Sequence, residues 1–414
     1  MTVTKKSVHP SRKIYKSYSD ILKGKRIIFG ITGSVAAYKS PEIARELIRH
    51  GAEIIPVITK DGEKMIGKNL IWWATGVEPI TAISGDLEHI SLAGVMNEPA
   101  DMMIIIPSTT NTIAKLANGI TDNAVSLIAN SIMGKGIPLM VLCVAHIDLI
   151  NSPANKKNLE RLRDWGVKII EPVVDEGKAK VPKLNDIIFD IMTGMSNKDL
   201  NDMNIIVTGG PTREYIDKIR YITNGSSGRM GIEIARIAMI NGANTKLLLG
   251  HSKLETPRSM RAKRVSTTGD MIKEMMKLLK DNPKSVVILS SAMADFTPQK
   301  PFEGKIKSGE TVEIKLLPTD KLSNLIKREF PDTKLVLFKA EWDVSKEVLI
   351  ERAMLKMKNC NADLMIANDI SRPEGGFDAI SNHVLMIKKD KSIEEIDDTK
   401  LEIARKILDE IKYL

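Results

Sequence analysis

Cysteine is scarce: Cys143 and Cys360 are the only two in 414 residues. Two thiols so far apart in sequence make neither a disulfide scaffold nor, unaided, a four-ligand zinc site. Aromatic residues make up 4% of the chain, too few for the stacking platforms that hold single-stranded nucleic acid. No run of 18 apolar residues occurs; the best candidates, Met102–Pro107 and Ile137–Val144, have strand length, which excludes a membrane-spanning helix. The stretch Met1–Ser19 carries Lys and Arg but no apolar core, so it does not read as a secretory signal. The expectations are a flexible basic lead-in over residues 1–20, a cytoplasmic protein, and neither a membrane nor a nucleic acid as partner. The charge excess, 61 basic against 52 acidic residues for a net +9, suits phosphorylated substrates or a Lys-rich solvated surface.

With 43% hydrophobic and 27% charged residues, the chain is ordinary for a folded protein and long enough for two or three domains. Lys25–Phe29 reads as a buried strand, followed by a Gly-containing turn and a helical pattern to Arg49. Strands at Glu53–Thr59, Met102–Pro107, Ile137–Leu142 and Val167–Glu171 alternate with helices at Asn111–Asn118 and Pro153–Trp165. The polar run Asp175–Leu200 ends in a linker, after which the pattern restarts. Strands Met203–Val207, Asn244–Leu249, Ser285–Ser290, Lys334–Phe338 and Asp363–Ala367 alternate with helices near Ser227–Asn241, Asp270–Leu279 and Ser345–Lys358, and a terminal helix covers Leu401–Tyr413. Strand–helix alternation implies an α/β fold of two tandem doubly wound, Rossmann-like domains with mainly parallel sheets. The boundaries expected are 21–195 and 196–414. Ala292–Lys315 shows neither period and reads as a long irregular loop, a frequent home of function.

Ligands of open parallel sheets sit beyond the carboxyl ends of the strands, where helix N-termini offer free N–H groups. Gly30-Ile31-Thr32-Gly33-Ser34 and Pro107-Ser108-Thr109-Thr110-Asn111 both fall there. Each suits a phosphate or a flavin edge, and each reads equally as a capped strand–helix turn. His89 stands in His89-Ile90-Ser91-Leu92-Ala93; a lone histidine is more often structural than catalytic. In the second half, Ser226-Ser227-Gly228-Arg229-Met230-Gly231 opens a helix and makes an anion seat or a plain Ser cap. Lys305-Ile306-Lys307 places two cations in the long loop, and Asp295 follows a strand end. A nicotinamide oxidoreductase would need Gly-x-Gly-x-x-Gly with an acidic residue about 20 positions on, and neither half has it.

Taken together these motifs resemble the flavin-containing cysteine decarboxylases, and in particular the bifunctional coenzyme A biosynthesis family. There phosphopantothenoylcysteine decarboxylase is fused to phosphopantothenate–cysteine ligase. The first half matches through Gly30–Lys39 (GITGSVAAYK), His89–Ala93 and Pro107–Ser126. The second matches through GGPTR at 209–213, RYITNGSSGRMG at 220–231, AMADF at 292–296, Lys305–Lys307, FKAE at 338–341 and ANDIS at 367–371. The resemblance implies FMN held by Gly33, Ser34, Thr59, Ser108, Thr109 and Asn111, with His89 as the active-site histidine.

It further implies substrate binding by His146, Arg213, Ser226, Ser227 and Gly228. Asn224 would contact an acyl-cytidylate and Lys305 would stabilise charge during activation. CTP would be bound by Ser291, Ala292, Asp295, Lys305, Lys307, Thr319, Asp320, Lys321, Leu322, Phe338 and Lys356. Mg²⁺ would travel with CTP and need no protein metal site. A homo-oligomer with trimeric decarboxylase and dimeric ligase contacts is implied as well.

Three positions depart from the family pattern. His146 stands where an Asn is usual. The segment Asp175–Lys180 resembles the shortened flap of the archaeal type and has no cysteine, so Lys178, Lys180 and His146 are the candidates for the proton donor. Cys360 stands where a Lys is usual, with Lys358 as the nearest substitute. A ligase with a non-catalytic first domain is the alternative reading.

Overall fold

The computed structural model describes residues 9–95, 98–195, 199–309, 311–371 and 379–414. The chain divides into two compact units, Met1–Met195 and Ser196–Leu414. No described helix is long and apolar enough to cross a membrane.

In the first unit, β1 (Arg26–Ile31), β2 (Glu53–Ile58), β3 (Met102–Ser108), β4 (Leu139–Cys143) and β5 (Lys168–Ile169) form one sheet in the order β2-β1-β3-β4-β5. Every neighbour pair is parallel. The strands read as continuous apolar runs because helices cover both faces; β3 is buried at every position. This is the flavodoxin-like order, whose topological switch point lies between β1 and β3.

A hairpin of β6 (Val173–Asp175) and β7 (Lys178–Lys180) follows. The next segment, ahead of the linker expected at the end of the polar run, holds a helix that sequence reading does not assign. Leu184–Gly194 is a helix burying Ile187, Ile188, Phe189, Ile191 and Met192, an apolar stripe that its polar surroundings obscure in sequence.

The lead-in also departs from expectation. Residues 1–8 lie outside the described residues, but from His9 onward the segment is docked rather than loose. A 3-10 turn, Pro10–Ile14, buries Ser11. The Lys16 and Tyr18 N–H groups donate to Ile48 and Arg49 carbonyls at 3.2 and 3.0 Å. Ser19 Oγ and His50 Nδ1 are hydrogen-bonded at 2.7 Å. These are backbone and single-pair contacts, which leave no periodic signature.

The second unit starts with β8 (Asn204–Gly209) and a ribbon of β9 (Arg213–Tyr215) and β10 (Tyr221–Thr223). Then come β11 (Asn244–Leu249), β12 (Lys263–Arg264), β13 (Val286–Leu289), β14 (Phe296–Pro298), β15 (Leu316–Pro318), β16 (Lys334–Glu341), β17 (Leu364–Asp369), β18 (Ser381–Lys388) and β19 (Ile393–Thr399). The main sheet runs β12-β11-β8-β13-β16-β17-β18-β19. Its first six strands are parallel in the Rossmann order, with the switch point between β8 and β13. Strands β18 and β19 extend it antiparallel. The stretch expected to be irregular holds β14, which pairs with β15.

Helix Arg229–Ile240 packs its first turn directly on the end of β8. A methyl built on Gly231 would stand 2.7 Å from Gly209 Cα and 2.8 Å from Thr208 O. Gly231→Ala is therefore expected to destabilise the second unit by about 1–3 kcal/mol, through overpacking against backbone, read as a lowered unfolding midpoint.

Candidate functional site

In the first unit, β1, β2 and β3 are each followed by a hydroxyl residue that caps the next helical segment. Ser34 Oγ accepts from Ala36 N–H at 3.3 Å, Thr59 Oγ1 from Gly62 N–H at 3.1 Å and Thr109 Oγ1 from Thr112 N–H at 3.2 Å. The capping reading of these residues thus holds, and three helix starts lie along one edge of the sheet. Thr32 Oγ1 ties two of the turns together, donating to Pro107 O at 2.9 Å and accepting from Thr109 N–H at 3.0 Å. Gly33 lies against the start of helix Lys60–Ile66: a methyl there would meet Asp61 Cβ at 2.5 Å.

Among the described residues of this unit three polar atoms are buried without a partner, Ser108 Oγ, His89 Nδ1 and, away from the strand ends, Asn155 Oδ1 on helix Pro153–Asp164. A buried hydroxyl left unsatisfied costs about 1–3 kcal/mol, so Ser108 at the switch point fits a site that a polar ligand completes. His89 lies on helix Glu88–Leu92, which starts from Leu87 at φ +49° and packs against helix Ala124–Gly134. Asn111 is exposed on the first turn of helix Thr110–Ala117.

The β6–β7 hairpin is bonded to the chain leaving β4. Ile147 N–H donates to Gly177 O at 3.0 Å and Ala179 N–H to Ala145 O at 2.9 Å, and His146 bridges to Lys178. The three candidate proton donors are therefore neighbours. His146 Nδ1 is 3.1 Å from Asp148. Lys180 is paired with Asp175 at 2.6 Å and Glu176 at 2.7 Å. The Asp175 bond, then that to Glu176, holds its ammonium above the ordinary lysine range, which makes it a reluctant acid. Cys143 is no substitute, because burial pushes its thiol up to about 12.

In the second unit a cleft of about 390 Å³ opens at the switch point. Its walls include the Asn224–Gly231 turn, Ser290–Ala292, Asp295, and Phe338 within β16. Gly228, at φ +80°, lets the turn enter helix Arg229–Ile240 against Gly210, 3.0 Å from where a methyl would stand. Ser226 Oγ accepts from Gly228 N–H at 3.3 Å. Asn224 spends its amide N–H groups on Ala292 O (3.3 Å) and Met293 O (3.0 Å). Ser291 Oγ is buried there without a partner.

Asp295 pairs with Lys321, and Thr319 is fixed to the same strand end by bonds to Ala294 O (2.7 Å) and Asp295 O (2.9 Å). Asp295 and Thr319–Leu322 are thus brought together, although the Leu322 side chain is in the core, leaving its backbone for any ligand. Lys305 and Lys307 are exposed on the β14–β15 loop.

The structure does not bring Arg213, Lys305, Lys307, Thr319–Leu322 or Lys356 to the cleft walls. The Arg213 guanidinium lies over the Tyr221 ring at 4.0 Å. Lys356 is in the last turn of helix Lys346–Asn359, whose cap Cys360 packs its thiol against Ser323 (3.4 Å) and Asn324 (3.2 Å). Cys360 is thus a buried cap and Lys358 an exposed cation. Two lining residues lie outside every motif singled out in the sequence, Asn382 and Lys400, and two more, Asn368 and Ile370, are given no role there. Asn368 sits inside the ANDIS motif. Lys400 opens an amphipathic helix, where a lysine reads as solvated, yet it is 4% exposed. Among the described residues no group of three or more His, Cys, Asp or Glu is placed to hold a metal ion.

Residues 15–195 match the Flavoprotein family and residues 200–414 the DNA/pantothenate metabolism flavoprotein C-terminal domain. The coenzyme A biosynthesis bifunctional protein CoaBC of Thermococcus kodakarensis is 36% identical over 408 residues, covering 98% of this chain and 100% of that protein. Its counterpart in Methanocaldococcus jannaschii is 33% identical over 409 residues, 98% of each chain. Among solved structures, the C-terminal domain of a coenzyme A biosynthesis bifunctional protein CoaBC is 30% identical. The match covers 53% of this chain and 97% of that one, with a TM-score of 0.44.

Proposed function

The chain belongs to the family of coenzyme A biosynthesis bifunctional proteins, and on that premise we propose a division of labour between its units. The second unit joins phosphopantothenate to cysteine using CTP, and the first decarboxylates the phosphopantothenoylcysteine that results, with FMN as cofactor. The observation that carries the reading is the cleft at the β8/β13 switch point, which gathers Asn224, the Ser226–Gly231 turn, Ser291, Asp295 and Phe338.

A carboxylate resists an amine until one of its oxygens becomes a good leaving group. In this reading the carboxylate oxygen attacks the α-phosphorus of CTP, pyrophosphate leaves, and the cysteine amine then displaces CMP from the acyl-cytidylate. The free N–H groups at the start of helix Arg229–Ile240 hold phosphate oxygens, and Mg²⁺ arrives with the triphosphate. Phe338, Asp295 and the Thr319–Leu322 backbone surround the nucleotide. Asn224, its amide N–H groups anchored, offers Oδ1 to the acyl intermediate. Lys305 offsets the charge that develops at the transferred phosphate.

A flavin bound in the first unit would supply the two-electron redox chemistry that makes loss of CO₂ from this substrate feasible. Gly33, Ser34, Thr59, Ser108, Thr109 and Asn111 would hold it, with Ser108 Oγ gaining the partner it lacks. His89 takes the thiol proton. A proton must also reach the carbon that CO₂ leaves, and His146 and Lys178 on the hairpin are the groups at hand. A homo-oligomer built through both units is part of the proposal.

The test is to supply phosphopantothenate, cysteine and CTP to the purified, yellow protein. Pyrophosphate and CO₂ in equal amounts are expected. Pyrophosphate without CO₂ would leave the first unit as a non-catalytic partner of a working ligase, and absence of both would refute the proposal.

A further inference from the structure

We propose that Asp217 is a positioning residue of the ligation site, its carboxylate clamping the loop that carries Lys305 to the ribbon that leads into Asn224. The inference rests on the roles given above to Lys305 and Asn224. It adds a residue that does not line the cleft.

Asp217 lies between β9 and β10 and is 2% exposed. Its Oδ1 accepts from the N–H groups of Ile219 at 2.7 Å and Arg220 at 2.6 Å. Its Oδ2 accepts from the Arg220 guanidinium at 2.5 Å and from Ile306 N–H at 3.0 Å. Ile306 is the residue between Lys305 and Lys307. The Arg220 guanidinium also donates to Ile306 O at 3.2 Å, so both backbone groups of Ile306 are held by the Asp217–Arg220 pair. Two more bonds close the seam: Lys218 N–H to Gly304 O at 3.1 Å and Phe302 N–H to Ile216 O at 2.8 Å.

Packing does little to place this loop. Residues 301–305 and 307–309 are exposed, and Ile306 is half-buried. A loop with so few apolar contacts opens easily unless polar bonds hold it. On its other side the ribbon is fixed to the cleft: Thr223 Oγ1 donates to Thr212 O at 2.7 Å, and the next residue is Asn224 with its two amide bonds. The clamp thus sets where the Lys305 backbone stands relative to Asn224. The Arg220 backbone N–H, followed by those of Ile306 and Ile219, outweighs burial and holds the carboxyl well below the usual carboxylate range. The clamp is therefore charged at neutral pH. Four donors converge on two oxygens, two on each, so an amide of the same shape would set its NH₂ against two of those donors.

The experiment is Asp217→Asn in the full chain, with pyrophosphate release measured against CTP concentration. The expected result is a kcat lowered about 100-fold and a KM for CTP within about three-fold of the parent, because nucleotide contacts persist while charge placement is lost. Flavin absorbance should be unchanged, and trypsin should cleave after Lys305 or Lys307 about ten-fold faster. Ile306→Pro, which deletes one donor and leaves Asp217 intact, should reproduce the kcat loss. In a Lys305→Ala background, Asp217→Asn should add no further loss. Parental turnover and parental tryptic rate in Asp217→Asn would overturn the clamp, as would losses that multiply with those of Lys305→Ala. Parental turnover in Lys305→Ala would instead overturn the role of Lys305, with the tryptic rate still deciding whether the loop is clamped.

Discussion

Lys305→Ala is expected to lower pyrophosphate release from phosphopantothenate and CTP by about 10³-fold, the scale of losing one charge-stabilising donor in a preorganised site. The same variant should keep its flavin absorbance and should decarboxylate supplied phosphopantothenoylcysteine at the parental rate. The separation follows from placement: Lys305 belongs to the second compact unit, on a loop whose backbone bonds run to the 216–220 segment of that unit. Lys305 makes no ion pair among the described residues, so its removal leaves no buried charge uncompensated and little stability is lost. Turnover measured on each half-reaction, with the unfolding midpoint as control, checks both statements. A folded variant that kept its ligation rate would remove Lys305 from the mechanism.

His89→Asn is expected to do the reverse. Decarboxylation should fall by about 10³-fold, in the range for losing a positioned acid–base group, while pyrophosphate release stays parental. The ring's Nδ1 is buried and unpartnered, which is costly for a histidine serving structure alone and natural for one whose partner arrives with cofactor or substrate. Asparagine keeps a polar side chain of similar reach, so a rate loss with retained flavin would report lost proton transfer rather than a lost pocket. Single-turnover formation of CO₂ from phosphopantothenoylcysteine is the measurement.

The two sheets were legible because buried parallel strands are written as unbroken apolar runs such as Met102–Pro107, and because Gly, Ser and Thr mark the turns where helices begin. The turns at Ser34, Ser108 and Ser226 were legible for the same reason. Some of what sequence reading missed, such as the strand Ser381–Lys388 and the helix Leu184–Gly194, carries an apolar pattern; the rest lacks it. The strand Ile393–Thr399 is an edge strand rich in acids that sequence reading does not assign. The docking of residues 10–20 rests on carbonyls of Ile48 and Arg49, which any residue type supplies. Lys400 is a buried cation at the start of an amphipathic helix, indistinguishable in sequence from a solvated one. Asp217 was passed over because one carboxylate in a turn is common, and the four donors around it come from segments some 90 positions apart.

The central claim is that one chain holds two separate sites linked by a diffusible product, and mixing the two variants tests it most directly. Neither Lys305→Ala nor His89→Asn alone should release appreciable CO₂ from phosphopantothenate, cysteine and CTP. Combined, they should release it at a rate approaching that of the parent, because one variant makes phosphopantothenoylcysteine and the other consumes it. A mixture no more active than its components would contradict the account.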